Sequence, residues 1–282
     1  MEEVSFVNGK TRLYGIVGDP IEQVRSPEMV TYEMHRRGIN SLFLPIHVAS
    51  ADFERVMPHV MSISNLDGLM FTIPFKARAV HLAGCIGSNA TEVGAINALA
   101  RRADGIWVGE MFDGLGCVEA FHRRGYTFRN AGVMLIGLGG AGSAICAAIS
   151  AEQPRLLRIF DLDDKRCRSM AEKVRRISPA TEIQIGKPDI QGIDILLNAS
   201  PVGMLGDLRL PIDVDHFPPE LIVFDVVVKP EQTPLLALAE KSGCSVVRGR
   251  EMMRGQISKI VDYFALQTRA AGSIKVTTCC VR

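Results

Sequence analysis

A run of apolar residues leads directly into a cluster of glycines near the middle of the chain. Residues 132–136 predict a buried strand, and a helix of small residues is predicted from Ser143. Between them, Gly137, Gly139 and Gly142 follow the G-x-G-x-x-G spacing. In that motif one glycine makes a tight turn, one admits a pyrophosphate, and the third lets helix and strand pack closely. The segment therefore predicts a strand, a phosphate-binding turn and a helix in immediate succession.

The residues that follow decide whether these glycines bind a ligand or only make a turn. Glycine-rich loops are common, and a tight turn without a ligand is the alternative. Here a second predicted strand, residues 156–160, ends at Asp161. This is close to the expected spacing of about 20 residues for the acidic residue of a dinucleotide site. We therefore predict a dinucleotide site that also includes Gly140 and Ala141.

Composition excludes several classes of protein. The 282 residues suffice for one large domain or two smaller ones, and 47% of them are hydrophobic and 22% charged, as in ordinary globular proteins. A net charge of +1 gives no electrostatic case for binding nucleic acid or a membrane surface. No apolar run approaches the length of a membrane span, and the acidic start lacks the features of a signal peptide. We expect a cytoplasmic protein without a nucleic-acid or membrane partner.

The cysteines and histidines predict neither disulfides nor a metal site. Seven cysteines are an odd count without C-x-x-C spacing, which favours free thiols in a reducing compartment. The six histidines show no H-x-x-H or H-E-x-x-H pattern, so we assign no metal.

Strands and helices alternate along the chain, which predicts an α/β fold with mainly parallel sheets. In the first third, Ser26 is predicted to cap a helix that ends near Arg37, and another helix is predicted from Phe75. A C-terminal helix over residues 252–268 is long enough to pack back on the first domain. The last dozen residues lack periodicity and are expected to fray.

Several short motifs occur in one order along the chain. A Ser-Pro pair is followed by T-x-P-x-K, G-A-x-N, D-G-x-G, the glycine-rich loop, N-A-S-P-V-G-M, T-P-L-L and M-x-x-Q. From about Tyr14 to Phe264 this order resembles the shikimate/quinate dehydrogenases. The resemblance implies two α/β domains with a cleft between them for a nicotinamide dinucleotide and a cyclic hydroxy acid. It assigns substrate binding and catalysis to 1–113, a Rossmann-type domain to 114–248, and a C-terminal helical segment that packs on the first domain to 249–282.

The resemblance also implies a reaction and the residues that perform it. It matches Lys76 to the family's catalytic lysine and Asp113 to its aspartate partner, in a reversible hydride transfer between nicotinamide and a ring hydroxyl. Oxidising a secondary alcohol requires a group that takes the hydroxyl proton, and a lysine does so when burial and a nearby cation favour its neutral form. Considered singly, Lys76 is interpreted as a solvated lysine at the start of a helix and Asp113 as an ordinary aspartate in a turn. The substrate-binding residues are assigned as Ser26, Thr72, Asn97 and Gln256.

On the cofactor side, the resemblance places the N-A-S-P-V-G-M loop along the nicotinamide. The further cofactor-binding residues are Asn198, Ser200, Val202, Met204, Val226, Gly249 and Met253. NAD is favoured over NADP, because Asp161 accepts hydrogen bonds from ribose hydroxyls and repels a 2′-phosphate. Leu162 stands where NADP-dependent members usually carry an arginine that pairs with this phosphate. Lys165 and Arg166 lie close by in sequence, so some use of NADP stays open.

The chain departs from the family pattern around the expected substrate pocket. Apolar side chains replace polar ones at Val24, Met70, Met111, Phe112 and Val228. A hydrogen bond contributes about 0.5–1.5 kcal/mol to binding, and one to a charged group about 1.5–3 kcal/mol. Losing several of them therefore makes the binding free energy of a shikimate-like ligand less favourable by roughly 3–6 kcal/mol. We hypothesise that the catalytic pair is kept and that the substrate has changed. Drift at packing positions is the alternative.

Two other functions stay open from the sequence. A decayed pocket would leave a non-catalytic nucleotide-binding sensor or partner-binding relative, although such a protein has no reason to retain both Lys76 and Asp113. A two-domain dehydrogenase that acts on a folate has a similar architecture, but the N-A-S-P-V-G-M and T-P-L-L motifs argue against it. The expected partner is a small-molecule substrate, and the chain is expected to be a monomer or a homodimer.

Overall fold

The computed structural model describes residues 7–269, which divide into two compact units. The first unit contains the residues up to Phe112 together with those from Ile257 onward, and the second is Asp113–Gln256. Each unit has its own six-stranded sheet. The predicted fraying of the last dozen residues lies outside the described part of the chain.

A mixed sheet forms the centre of the first unit. Its strands in chain order are β1 (Arg12–Gly18), β2 (Ser41–His47), β3 (Leu66–Phe71), β4 (Cys85–Ile86), β5 (Ala98–Arg101) and β6 (Trp107–Glu110). The spatial order is β2-β1-β3-β5-β6-β4, and both pairings of β5 are antiparallel. The other three pairings are parallel (β1 with β2, β1 with β3, and β4 with β6), so the sheet is mainly parallel as predicted and only β5 departs from that pattern. The connection between β5 and β6 is a short turn through Gly105, at φ +84°, and so short a connection only permits antiparallel strands.

The helices of the first unit lie between these strands. They are α1 (Ser26–Arg36), α2 (Phe53–Met61) and α3 (Ser88–Val93), with 3-10 helices at Ser50–Asp52 and Arg78–Leu82. Ser26 does not cap α1 as predicted, because Arg25 holds the cap position and Ser26 is the buried first residue of the helix. The α-helix predicted from Phe75 is also wrong. The Phe75 N–H instead bonds the Thr72 carbonyl at 2.8 Å, closing a turn that precedes the 3-10 helix.

Six parallel strands form the sheet of the second unit. In chain order they are β7 (Gly132–Ile136), β8 (Leu156–Phe160), β9 (Glu182–Ile185), β10 (Ile195–Asn198), β11 (Ile222–Asp225) and β12 (Ser245–Arg248). The spatial order is β12-β11-β10-β7-β8-β9, with every neighbouring pair parallel. The helices that begin in this unit are α4 (Asp113–Arg123), α5 (Gly140–Ala151), α6 (Asp164–Ile177), α7 (Pro234–Lys241) and α8 (Gly249–Arg269).

This strand order confirms the predicted α/β class and the Rossmann-type domain. The chain runs outward from β7 to β9, then returns to the other side of β7 and runs outward again to β12. Side chains of β7 alternate between two cores, since Val133 and Leu135 join one apolar cluster and Met134 and Ile136 the other. The strand order reverses between β7 and β10, and in such sheets ligands bind at the carboxyl ends of the strands near this point.

The C-terminal helix α8 contributes to both units. Its residues up to Gln256 belong to the second unit and those from Ile257 to the first, so the change of unit falls inside the helix. The predicted C-terminal segment begins at residue 249, and α8 begins at the same residue, three residues before the predicted start of the helix at 252. In the first unit, the Phe264 ring lies 5.1 Å from that of Tyr14, between ring centroids. The Phe264 ring leaves no room for a Cβ at Gly68 of β3, since one would lie 2.8 Å from it.

The described residues 7–269 contain neither a membrane-spanning helix nor a cluster of metal-binding side chains. Within that range no helix is long and apolar enough to cross a membrane. The same residues contain no group of three or more histidine, cysteine, aspartate or glutamate side chains that could hold a metal ion.

We expect Phe264→Ala to lower the free energy of unfolding of the first unit by about 3–5 kcal/mol, because it empties a fully buried aromatic position. Leu266→Ala is the matched control on α8. Its side chain is 57% exposed, so the change should stay below about 0.5 kcal/mol. Urea denaturation followed by the fluorescence of Trp107, the single tryptophan, measures both. If Phe264→Ala and Leu266→Ala lowered the free energy of unfolding by equally small amounts, the packing of Phe264 of α8 would not stabilise this unit.

Candidate active site

The glycine-rich loop joins β7 to α5, and two of its glycines are required by the protein itself. Gly137 has φ +93°, and a Cβ there would lie 2.7 Å from the Ser200 backbone nitrogen. A Cβ at Gly142 would lie 1.9 Å from the Gly137 carbonyl oxygen. The turn and the close approach of α5 to β7 therefore exclude a side chain at both positions.

Gly139 is different, because nothing in the chain requires a glycine there. A Cβ at Gly139 would meet no atom within 4 Å, and its φ of −66° suits any residue. Gly139 caps the 12-residue helix α5, and Gly140 and Ala141 form its first turn. The free N–H groups and the dipole of a helix N-terminus favour an anion. The open space beside Gly139 thus fits the pyrophosphate of a dinucleotide.

Asp161 follows β8 and holds the glycine-rich loop. Its carboxylate accepts hydrogen bonds from the Leu138 N–H at 2.6 Å and from the Asp163 N–H at 2.9 Å. The Arg166 guanidinium lies 3.8 Å from the same carboxylate. The sequence predicted a ribose ligand here but not this bond to the loop. Each carboxylate oxygen retains a second lone pair with which it can accept from a ribose hydroxyl.

The strand register places the predicted cofactor residues along one edge of the sheet. The last residues of five strands form a row of paired positions: Arg248, Asp225, Asn198, Ile136 and Phe160. Gly249 and Val226 follow the first two, and a Cβ at Gly249 would lie 2.4 Å from the Val226 carbonyl oxygen. The Val226 N–H donates to the Asn198 carbonyl at 2.9 Å. This edge is the carboxyl end of the sheet, where the glycine-rich loop also lies.

The N-A-S-P-V-G-M loop is organised by the Asn198 side chain. The Asn198 Oδ1 accepts from the Ser200 N–H at 3.1 Å and from the Ser200 hydroxyl at 2.6 Å, while its Nδ2 donates to the Val202 carbonyl at 3.2 Å. The Met204 N–H bonds the Pro201 carbonyl at 3.1 Å. These bonds give residues 198–204 a defined turn.

Two polar residues of this edge were absent from the sequence-based assignment. Asp225 accepts from Asn198 Nδ2 at 3.1 Å and from the Thr233 hydroxyl at 2.7 Å. Both Asp225 and Thr233 are fully buried. Burial raises the pKa of Asp225 to about 6, although its hydrogen bonds act in the opposite direction. Two sequence signals could have identified them: an aspartate at the end of the apolar strand β11, and a threonine directly before the proline that begins α7.

In the first unit, three predicted site residues lie on segments that are hydrogen-bonded to one another. Thr72 follows β3, and its N–H donates to the Val17 carbonyl at 3.0 Å. The carbonyl of the half-buried Lys76 accepts from the Ile96 N–H at 2.9 Å. The next residue, Asn97, is buried, and its backbone carbonyl accepts from the Phe71 N–H at 3.0 Å. The lysine, threonine and asparagine thus belong to one region of this unit.

An arginine that the sequence did not single out anchors the Lys76 segment. The Arg78 guanidinium lies 4.9 Å from the ring centroid of Phe53 and 5.3 Å from that of Phe75. It donates to the Ser50 hydroxyl at 2.9 Å and also pairs with Glu54. No local sequence signal reveals this cluster, because its members come from two distant segments.

Three of the apolar replacements lie on segments next to Asn97. The Phe112 N–H donates to the Asn97 Oδ1 at 2.9 Å, which places Met111 and Phe112 beside it. Met70 of β3 pairs with Ala98, the residue after Asn97. All three side chains are buried, whereas the other two replacements, Val24 and Val228, are half-buried.

Of the remaining predicted site residues, Ser26 is the buried first residue of α1 in the first unit, and the others belong to the second unit. Asp113 is the buried first residue of α4. Gln256 lies on α8 and is also buried, and a Cβ at Gly116 of α4 would lie 2.8 Å from the Gln256 Cβ. Met253, on the same helix, is half-buried.

Known proteins resemble this chain in both sequence and structure. A family model described as the shikimate dehydrogenase substrate binding domain matches residues 16–99. A shikimate dehydrogenase (NADP(+)) of Rhodospirillum rubrum is 30% identical over 257 residues, covering 89% of this chain and 90% of its own.

Two solved structures show the same fold. The shikimate 5-dehydrogenase of Listeria monocytogenes, in complex with shikimate and NAD, has a TM-score of 0.81 and 27% identity, covering 93% of this chain and 94% of its own. The ligand-free 5-ketofructose reductase of Gluconobacter sp. strain CHM43 has a TM-score of 0.79 and 24% identity, with 93% of this chain and 95% of its own covered. At that identity the second likeness concerns the fold alone.

We expect Gly139→Ala to lower the free energy of unfolding by no more than about 1 kcal/mol, since a Cβ there meets nothing in the chain and the only loss is that alanine is a poorer helix cap than glycine. The same methyl group occupies the space in which a pyrophosphate would lie, so dinucleotide affinity should fall by at least about tenfold. Thermal denaturation and isothermal titration calorimetry measure the two effects. Gly142→Ala is the contrasting variant and should lower stability, because its Cβ would lie 1.9 Å from the Gly137 carbonyl oxygen. Unchanged affinity in Gly139→Ala would exclude a phosphate site at this glycine.

Proposed function

Because this chain belongs to the shikimate/quinate dehydrogenase family, we propose that it is an NAD-dependent dehydrogenase that acts on a secondary hydroxyl of a cyclic hydroxy acid. The proposal is carried by the open space at Gly139 on the N-terminus of α5, in a chain 30% identical to a shikimate dehydrogenase over 257 residues. A phosphate-binding turn at the switch point of a parallel sheet is the usual place for a dinucleotide.

The proposed chemistry assigns one role to each of the predicted catalytic and substrate-binding residues. A bound nicotinamide supplies the acceptor for the hydride that leaves the alcohol carbon. Lys76 takes the proton of the reacting hydroxyl, so that the carbonyl forms as the C–H electron pair departs. Thr72 and Asn97 lie on segments bonded to that of Lys76 and hold neighbouring substrate hydroxyls, and Ser26 binds the substrate carboxylate. Asp113, in the second unit, is the carboxylate partner of Lys76. Gln256, in the same unit, binds the substrate.

We also propose that the substrate ring is less polar than shikimate. Met70, Met111 and Phe112 are buried on segments next to Asn97, in a region where related enzymes are expected to present polar groups. A buried apolar surface leaves substrate hydroxyls without partners, and each unpartnered hydroxyl weakens binding. A 5-ketofructose reductase has this fold, so the fold by itself does not determine the substrate.

The first test is the initial rate of NAD reduction with shikimate, quinate and 3-hydroxycyclohexanecarboxylate. We expect turnover, with kcat/KM highest for the least hydroxylated ring. Lys76→Ala should lower kcat by at least about a hundredfold, as expected for loss of a general base. Lys187→Ala, at an exposed lysine of the second unit, should leave the rate unchanged.

Two outcomes would contradict this proposal in different ways. Turnover highest with shikimate would show that the apolar residues near Asn97 do not select the substrate. NAD binding without reduction by any of these alcohols would support a non-catalytic nucleotide-binding protein instead.

The proposed preference for NAD rests on the residues after β8. Asp161 and Asp163 place two carboxylates beside Leu162, which is 95% exposed and cannot pair with a phosphate. The related enzyme of Rhodospirillum rubrum is described as NADP(+)-dependent, so the preference of this chain needs its own measurement.

We expect the wild-type protein to have a higher kcat/KM with NAD than with NADP. Leu162→Arg should raise the NADP-to-NAD ratio of kcat/KM by at least about tenfold, because a charged hydrogen bond to the 2′-phosphate contributes about 1.5–3 kcal/mol. Leu266→Arg, at an exposed leucine of α8, is the matched control and should leave the ratio unchanged. A wild-type preference for NADP would refute the assignment of NAD.

A further inference from the structure

Two polar side chains lie next to each other at the buried ends of neighbouring strands. Asn198 ends β10, Asp225 ends β11, and the parallel register pairs these two residues directly. Both are fully buried. A buried carboxylate is unfavourable unless hydrogen bonds replace its hydration. The groups bonded to Asp225 therefore indicate what it does.

Three donors from separate segments converge on the Asp225 carboxylate. Oδ1 accepts from Asn198 Nδ2 at 3.1 Å and from the Val227 N–H at 3.0 Å. Oδ2 accepts from the Thr233 hydroxyl at 2.7 Å. Thr233 in turn caps α7, since its oxygen accepts from the Leu236 N–H at 3.3 Å. Asp225 thus joins the end of β10, the segment after β11 and the start of α7.

The carboxylate also determines which way the Asn198 amide faces. An ionised carboxylate only accepts hydrogen bonds, so the amide must turn its NH2 group toward Asp225. Its oxygen then faces Ser200, from which it accepts the backbone and hydroxyl hydrogen bonds. In the reversed orientation, oxygen would face oxygen at Asp225 and the NH2 group would face the Ser200 N–H. Only one orientation of the Asn198 amide therefore makes hydrogen bonds to both Asp225 and Ser200.

We propose that Asp225 is the positioning residue of the cofactor loop, defined as residues 199–204, and acts through the Asn198 amide to hold this loop ready for the nicotinamide half of the dinucleotide. The inference rests on the proposed function, in which this loop contacts the cofactor. The loop also borders the phosphate-binding turn, because a Cβ at Gly137 would lie 2.7 Å from the Ser200 nitrogen. A preorganised loop loses less conformational entropy when the cofactor binds.

The main test compares NAD affinity, by isothermal titration calorimetry, in three aspartate variants. Asp225→Ala should raise the Kd for NAD by at least about tenfold, because a loop that is no longer preorganised must be ordered on binding. Asp225→Asn keeps an oxygen for Asn198 and Val227 and should stay within about threefold of the wild type. Asp194→Asn is the matched control, since Asp194 bonds the Gly132 N–H at 2.6 Å just before the amino end of β10. Its Kd should not change.

A double-mutant cycle with Asn198→Ala tests whether Asp225 acts through the asparagine. If it does, Asp225→Ala adds no further loss of NAD affinity once Asn198 has been replaced. If Asp225 only stabilises the core, its replacement would lower the free energy of unfolding but leave the Kd for NAD unchanged. Either that result or additive losses of affinity in the cycle would overturn the proposal.

Amide hydrogen exchange of the wild-type protein provides a readout independent of activity and of variant folding. Without NAD, the N–H groups of Ser200 and Val202 should exchange at least about tenfold more slowly than in an unstructured chain. Exchange at the unstructured rate would overturn the proposal, even where Asp225→Ala does not fold. A wild-type protein that binds no NAD would instead contradict the proposed function, and comparison of these two amides between the wild type and Asp225→Ala would still decide whether Asp225 holds the loop.

Discussion

The arrangement of the second unit depends on the close approach of α5 to β7. A side chain at Gly142 would overlap the Gly137 carbonyl oxygen, so the helix can begin directly above the end of the strand only because both residues are glycines. This contact aims the N-terminus of α5 at the carboxyl edge of the sheet. The Asp161 carboxylate then holds the Leu138 N–H, which keeps the loop in place from the neighbouring strand. The proposed phosphate site is thus formed by packing and hydrogen bonding rather than by a cluster of charged residues.

The same edge shows how a parallel sheet places polar groups where its strands end. Asn198 and Asp225 complete apolar strands, and both are buried, so each must find hydrogen-bond partners within the protein. They find them in each other, in Ser200 and in Thr233. The resulting network joins strand ends, a loop and a helix cap across 35 residues of sequence, from Asn198 to Thr233. Burial of Asp225 raises its pKa to about 6, which marks this network as one whose charge changes close to neutral pH.

The first unit holds the segment of Lys76, the proposed catalytic lysine, by a different means. Phe75 stacks on Phe53 with 4.3 Å between ring centroids, and Arg78 lies over both rings, so the residues on either side of Lys76 are fixed by aromatic packing. The Lys76 carbonyl is bonded to Ile96, directly before Asn97. Buried apolar residues lie on the segments next to Asn97. The proposed change in substrate rests on this combination of a fixed Lys76 segment with apolar residues near Asn97.

The sequence by itself determined the α/β class, the parallel sheet of the second unit and the glycines of its loop, because these depend on periodicity and on backbone geometry within a few residues. It did not determine the antiparallel hairpin of β5 and β6, the turn that replaces a helix at Phe75, or the cap of α1, where Ser26 is buried inside the helix instead. Nor did it reveal Asp225 or Arg78 as parts of the site. Asn198 is 27 residues from Asp225, and Ser50 is 28 residues from Arg78. Only the strand register and the packing of separate segments bring these partners within hydrogen-bonding distance.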